Sequence, residues 1–394
     1  MTERIGSSGS GSTGPDVTSG AADVEAADRT AERGAAHRRG DAASVVLDLA
    51  GLDALIAELR RQGLTVVGPV RRDDAITLAE LGAADDLPAG WGVETGPGRY
   101  RLRRRDDTAV FGHSAGPQSW KAFLHPPHRT LLTVDDDGFH PVPDERPRYA
   151  FLGVRPCDLA AIGKLCQVLG ERAPFVVATR CTEPGDVCFC ASMGCGPDAR
   201  SGYDIALTER IDGHGHRFLA DAGSPAGELV LGRLPADPAD QRDEELARSD
   251  VEAARQRMGR AMPGPDLRDL LAANRDSAHW ERVAERCLAC GNCTMVCPTC
   301  FCVTVEDVTD LADGHAERRR RWASCFEVDF SRLHGGPVRA SVAARYRQWM
   351  SHKLSTWYDQ FGTSGCVGCG RCVAWCPAGI DITEEAAALA RGVP

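Results

Sequence analysis

Two segments of the 394-residue chain repeat one arrangement of cysteines. The first is Cys287-Leu-Ala-Cys290-Gly-Asn-Cys293-Thr-Met-Val-Cys297-Pro298. The second is Cys366-Val-Gly-Cys369-Gly-Arg-Cys372-Val-Ala-Trp-Cys376-Pro377. Both read C-x2-C-x2-C-x3-C-P, the run that ligates cubane [4Fe–4S] clusters. Two-residue spacers let a tight loop wrap three thiolates around three corners of a cube. Gly291 and Gly370 are expected to relieve crowding where backbone passes close to inorganic sulfide, and the proline after each fourth cysteine turns the chain away. In proteins carrying two such runs, the fourth cysteine of each ligates the other cluster. The expected ligand sets are therefore Cys287, Cys290, Cys293 and Cys376 for one cluster, and Cys366, Cys369, Cys372 and Cys297 for the other. Zinc is the competing chemistry. Zinc knuckles pair two C-x2-C units across a longer gap, whereas here four cysteines crowd into one short stretch, twice.

A further group lies upstream: Cys157, Cys166, Cys181, Cys188, Cys190 and Cys195. Tyr149–Val154 reads as a short apolar strand, with Asp158 as the N-cap of a following helix marked by Leu159, Ile162, Leu165 and Leu169. Phe175–Ala178 reads as a second strand. A β-α-β unit makes two parallel strands, and their carboxyl ends share the sheet edge where ligands of open α/β sheets bind. Cys157 and Cys181 sit at those two ends, and Cys188 and Cys190 follow in the adjoining loop. These four define a third possible [4Fe–4S] site, with Cys195 an alternative for one member of the tight C-x-C pair. Cys166 falls in the crossover helix and reads as a small apolar core residue. Cys300, Cys302 and Cys325 remain, as alternative ligands, as neighbours of a cluster, or as core thiols.

The elements around these loops divide the chain in three. Residues 1–43 are low in complexity: Gly, Ser and Ala supply 21 of the positions, with no aromatic residue, so the segment is expected to be disordered. Residues 44–262 read as an α/β domain. Leu52, Leu55, Ile56 and Leu59 mark one helical face, Gly63 its stop, and Leu64–Val67 a strand. A strand pair is expected around Asp212-Gly213-His214-Gly215 and a polar helix over about 238–259. Pro263-Gly264-Pro265 marks the boundary. Residues 263–394 read as an all-helical, two-cluster ferredoxin-like domain, with a long helix through Val338, Val342, Tyr346, Trp349, Leu354 and Trp357 that closes at Gly362. The fold class is thus α+β.

Composition narrows the function. The 17 cysteines are odd in number and too sparse, in too long a chain, for a disulfide scaffold; clustered as they are, they suit metal ligation in a reducing compartment. A formal charge of −10 argues against a nucleic-acid partner. No segment has the length of a membrane span or the pattern of a secretory signal, and the expected location is cytoplasmic. Within that acidic chain, His315–Lys353 holds nine Lys/Arg against three Asp/Glu, including Arg318-Arg319-Arg320-Arg321 before Trp322. Such charge could stabilise electrons on an anionic centre, form a solvated helix face, or dock an acidic partner. There is no Walker loop, no strand-linked GxGxxG and no catalytic triad legible in the sequence. No catalytic residue is assigned, and the chain reads as a carrier of electrons.

Taken together, these residues resemble a known family. Gly153-Val-Arg-Pro-Cys157-Asp158, Cys181 with Cys188-Phe-Cys190, the run from Cys287 to Cys297-Pro-Thr-Cys300-Phe-Cys302, Arg321-Trp-Ala-Ser-Cys325, and Cys366 to Cys372 are similar to the iron–sulfur β subunit of cytoplasmic NAD(P)-linked [NiFe] hydrogenases, the sulfhydrogenases. They are similar also to the iron–sulfur electron-transfer subunit of anaerobic sulfite reductase. The resemblance spans roughly residues 115–385; Cys166, Cys195 and the N-terminal tail stand outside it. It implies a non-catalytic electron-transfer subunit of a heteromeric oxidoreductase. One partner would be a flavin subunit that binds NAD(P)H; the others would be hydrogenase small and large subunits, or, in the other branch, siroheme sulfite reductase subunits.

Overall fold

The computed structural model describes residues 44–264, 266–309 and 316–392; the tail expected to be disordered, residues 1–43, lies outside them. In chain order the strands are β1 (Val45–Leu47), β2 (Thr65–Arg72), β3 (Ala75–Glu80), β4 (Trp91–Gly96), β5 (Arg99–Arg104), β6 (His128–Asp135), β7 (Gly138–Pro141), β8 (Tyr149–Val154), β9 (Phe175–Thr179), β10 (Ile205–Asp212), β11 (Gly215–Ala222), β12 (Asp237–Pro238), β13 (Val303–Thr309) and β14 (Ala316–Trp322). Eight of them form one mixed sheet in the order β12-β1-β11-β10-β9-β8-β2-β3. Its centre is parallel: β2 runs with β8, β8 with β9, and β9 with β10.

Successive strand side chains point to opposite faces, and both faces of this sheet are covered. Leu152, Val177 and Leu207 point to one face, where they meet Leu52, Leu55, Ile56 and Leu59 of the helix Leu49–Arg61. Burying each of those leucines is worth about 1.5–3 kcal/mol. Phe151, Val176 and Ala178 point the other way, onto Leu159, Ile162 and Leu165 of the helix Pro156–Leu169. That helix starts with Pro156 in its first turn and ends at Gly170 in the left-handed conformation, φ 66°. The β8–helix–β9 unit is therefore the parallel crossover that the sequence pattern predicts. Asp158 is not its N-cap. Arg155 holds that position without a side-chain bond, and Asp158 lies in the first turn, engaged elsewhere.

The C-terminal region is largely helical. His279–Arg286, Val342–Ser351 and Ile382–Ala390 enclose Trp280, Tyr346, Trp349 and Leu354. The long helix expected through Trp357 is interrupted: Val342–Ser351 passes into a π-helical turn, His352–Thr356, before Trp357–Phe361 and the stop at Gly362. The region is not all helical, however. β13 and β14 form a hairpin, and β14 also pairs with β6, so a four-stranded sheet joins segments from both sides of Pro263. Val303, Val305 and Val308 favour extended chain. The arginine run pairs across the hairpin, Arg318 with Asp307 at 2.7 Å and Arg321 with Glu306 at 3.2 Å. Arg318–Arg321 is thus a strand rather than a helix face. All described residues belong to one compact unit.

Candidate metal centres

Each cysteine run follows the same local path. The helix His279–Arg286 stops at Cys287, whose backbone is extended. The chain then turns through Ala289 and Gly291, both at positive φ, into a short helix, Asn292–Met295. In the second run Gly368 and Gly370 have positive φ before Arg371–Ala374. The neighbours that demand glycine are protein atoms. A Cβ at Gly291 would lie 2.8 Å from Ser324 Oγ, and one at Gly370 2.4 Å from the Val187 carbonyl oxygen.

Cys287, Cys290, Cys293 and Cys376 line a single pocket, together with Phe326, Tyr346 and Trp349. Backbone amides donate to two of these sulfurs: Ala289 to Cys287 and Ile380 to Cys376, both at 3.4 Å. Such bonds favour the anionic thiolate. Cys366, Cys369 and Cys372 belong to the second run, and Cys297 is the ligand expected to join them. Burial drives the Cys372 thiol well above the ordinary range, and the charges of Cys366, Cys369, Cys297 and Cys293 add to that shift. Burial also pushes Cys366 and Cys369 up to about 12. Asn292 Nδ2 donates to the Trp375 carbonyl and so ties the first loop to the second.

Cys157, Cys181, Cys188 and Cys190 line another pocket, at the carboxyl edge of the parallel strands. Gly153, with φ 83° at a register shift in β8, bends the chain where it leaves the sheet towards Arg155 and Cys157. Arg155 Nη1 donates to Cys181 Sγ at 3.0 Å, and its Nη2 to the Phe111 carbonyl at 2.6 Å. Burial pushes Cys188 up to about 12. Burial also raises Cys181, and the Arg155 cation opposes it. Cys195 is outside this lining; its thiol donates to the Met193 carbonyl at 3.3 Å. Cys166 packs in the apolar core, as expected.

The three sets are contiguous. Cys372 also lines the first pocket, and Cys369 also lines the third. Phe189 N donates to the Gly368 carbonyl at 2.9 Å, which holds the second run against the Cys188–Cys190 loop. Arg371 makes a bidentate bond to Asp158, 2.7 and 2.9 Å, with both side chains buried. Sequence reading missed Arg155, Asp158 and Arg371 as parts of the site. The signal was the single cation set inside the second run, between Gly370 and Cys372.

Among the described residues, no three His, Cys, Asp or Glu side chains close on a single metal ion. The first and third sets line pockets. All-thiol donor sets, amides aimed at sulfur and a buried guanidinium on a thiol fit an anionic polynuclear cluster. Comparison with known proteins agrees. A family model described as a 4Fe-4S dicluster domain matches residues 286–380, which contain both runs. Over 332 residues the chain is 30% identical to sulfhydrogenase 2 subunit beta of Pyrococcus furiosus, covering 80% of this chain and 89% of that protein. The chain belongs to the sulfhydrogenase beta-subunit family. It is an iron–sulfur protein of the [4Fe–4S] type. No solved structure gives a significant match. The Cys157–Cys190 site lies outside the residues the dicluster model matches, within the longer span shared with the Pyrococcus beta subunit.

Proposed function

We propose that this chain is the electron-transfer subunit of a heteromeric hydrogenase. It would relay single electrons between a flavin subunit that binds NAD(P)H and a [NiFe] module of small and large subunits. The observation that carries this reading is that the second run reaches both pockets: Cys372 lines the one with Cys287, Cys290, Cys293 and Cys376, and Cys369 lines the one with Cys157, Cys181, Cys188 and Cys190. The proposed ligands are Cys287, Cys290, Cys293 and Cys376 for the first cluster, Cys366, Cys369, Cys372 and Cys297 for the second, and Cys157, Cys181, Cys188 and Cys190 for the third. A thiolate-bound cubane supplies one-electron chemistry. The chain's own residues hold the thiolates, exclude water with Phe326, Tyr346 and Trp349, and place the Arg155 and Arg371 cations where negative charge accumulates.

A site in the cytoplasm suits the free thiols. No described helix is long and apolar enough to cross a membrane, and partners are proposed among proteins. The similarity to a hydrogenase beta subunit favours that branch over siroheme sulfite reductase. The test is anaerobic mixing of the full chain with its co-purified partners and NAD(P)H. Bleaching of the iron–sulfur absorbance that requires the flavin subunit is expected. Hydrogen or sulfite turnover by this polypeptide alone would overturn the proposal, and siroheme without nickel in the partners would move it to the other branch.

A further inference from the structure

Residues 110–116 form neither helix nor strand, yet the segment is pinned on both sides of Ser114. The amides of Val110 and Phe111 donate to the Glu209 carboxylate at 2.7 and 3.0 Å. The Phe111 carbonyl accepts from Arg155, whose other terminal nitrogen bonds Cys181. Beyond Ser114, the Ala115 carbonyl accepts from Trp375 Nε1 at 2.8 Å, and the Gly116 carbonyl from Arg371 Nε at 3.2 Å. Ala115 is held at φ 48°. A side chain makes that conformation costly, and it persists only where the surroundings impose it, commonly at functional sites.

The hydroxyl these anchors place is buried and unpaired. Ser114 is 4% exposed and lines the third pocket with Cys157, Cys181, Cys188 and Cys190. Its Oγ has no hydrogen-bond partner among the described residues, thiols included. It lies against the loop between Cys181 and Cys188: a Cβ at Gly185 would stand 2.2 Å from Ser114 Oγ. Only glycine there leaves the hydroxyl its place. A buried hydroxyl without an acceptor is costly, and native proteins almost always supply one. The one carboxylate lining this pocket, Asp158, is taken by Arg371. The acceptor that suits the site is the inorganic sulfide of a cluster.

We propose that Ser114 donates a hydrogen bond to a sulfide of the third cluster and so raises that cluster's reduction potential. The proposal rests on the third thiol set holding a cluster, and names a residue that tunes it. A hydrogen bond to sulfur strengthens as negative charge arrives there, so it favours the reduced form. Ser114 also lines a neighbouring cavity, where Thr77 Oγ1 and His113 Nε2 are likewise buried without partners. Thr77 does not line the third pocket, and so provides the control.

The test compares the anaerobically isolated full chain with its Ser114→Ala and Thr77→Val variants. Iron in the unaltered chain is read first. About twelve irons mean that the third site is filled; about eight overturn the third-site reading and this proposal with it. With twelve, redox titration followed by EPR should show one midpoint falling in Ser114→Ala, the one that Arg155→Met also moves. The expected change is about tenfold in the reduction equilibrium, ~59 mV for one electron. Iron content and the other midpoints should stay fixed, and Thr77→Val should move none. If Ser114→Ala does not accumulate, Ser114→Gly carries the same expectation. An unchanged midpoint at twelve irons, an equal shift in Thr77→Val, or loss of iron from the serine variant overturns the role of Ser114 and leaves the third cluster standing.

Discussion

Replacing Arg155 by methionine removes one positive charge from beside the third proposed cluster while keeping an unbranched, bulky side chain. The guanidinium nitrogen lies 3.0 Å from Cys181 Sγ. At an effective dielectric of about 20, a charge at that separation from an electron held wholly on sulfur would be worth about 5.5 kcal/mol. An added electron spreads over the cluster, so about a third of that ceiling is the better guide: ~1.8 kcal/mol, or ~80 mV at ~59 mV per tenfold change for one electron. Redox titration followed by EPR should therefore show one midpoint potential falling by ~80 mV, with the others fixed. Arg155→Lys keeps the charge and should restore most of the shift, which a merely structural role would not predict. No shift in any centre, or an equal shift in all of them, would refute the placement of Arg155 and with it the third site.

Other outcomes follow from the same geometry. Asp158→Ala leaves Arg371 buried without its partner and should cost about 3–5 kcal/mol in denaturant unfolding of the apoprotein, with the Asp158→Ala/Arg371→Met pair costing less than the sum of the singles. Gly370→Ala places a Cβ 2.4 Å from the Val187 carbonyl at φ 75°, and should lower folded yield and cluster content together, read by near-UV circular dichroism and iron assay. Cys166→Ala should leave iron content unchanged, since Cys166 packs among apolar side chains. Burial holds His125 at about 4 in the folded chain. The unfolded chain binds that proton below about 6.5, so stability should fall as pH drops from about 6.5 towards 4. His125→Gln should flatten that slope in pH-dependent melting.

The parts legible in the sequence were those written in local spacing. Both cysteine runs, the β8–helix–β9 crossover and the edge positions of Cys157 and Cys181 follow from residue type and period alone. The hairpin at Val303–Trp322 was not legible, because four consecutive arginines hide a period of two and the acidic partners of Arg318 and Arg321 lie across the hairpin. Asp158 looked like a cap because its true partner, Arg371, is more than two hundred residues away. Ser114 gave no signal: burial of a serine depends on long-range packing and leaves no local mark. The third thiol set is intermediate, since strand topology predicted its edge while the Gly368–Phe189 contact that joins it to the second run is tertiary.

The central claim is that these thiols hold polynuclear iron–sulfur clusters. Iron and acid-labile sulfide, assayed together on the full chain isolated without oxygen, test it most directly. Iron and sulfide in equal amounts, several cubanes' worth per chain and reversibly bleached by dithionite, are the expected result. Zinc without sulfide, in a colourless protein, would contradict it.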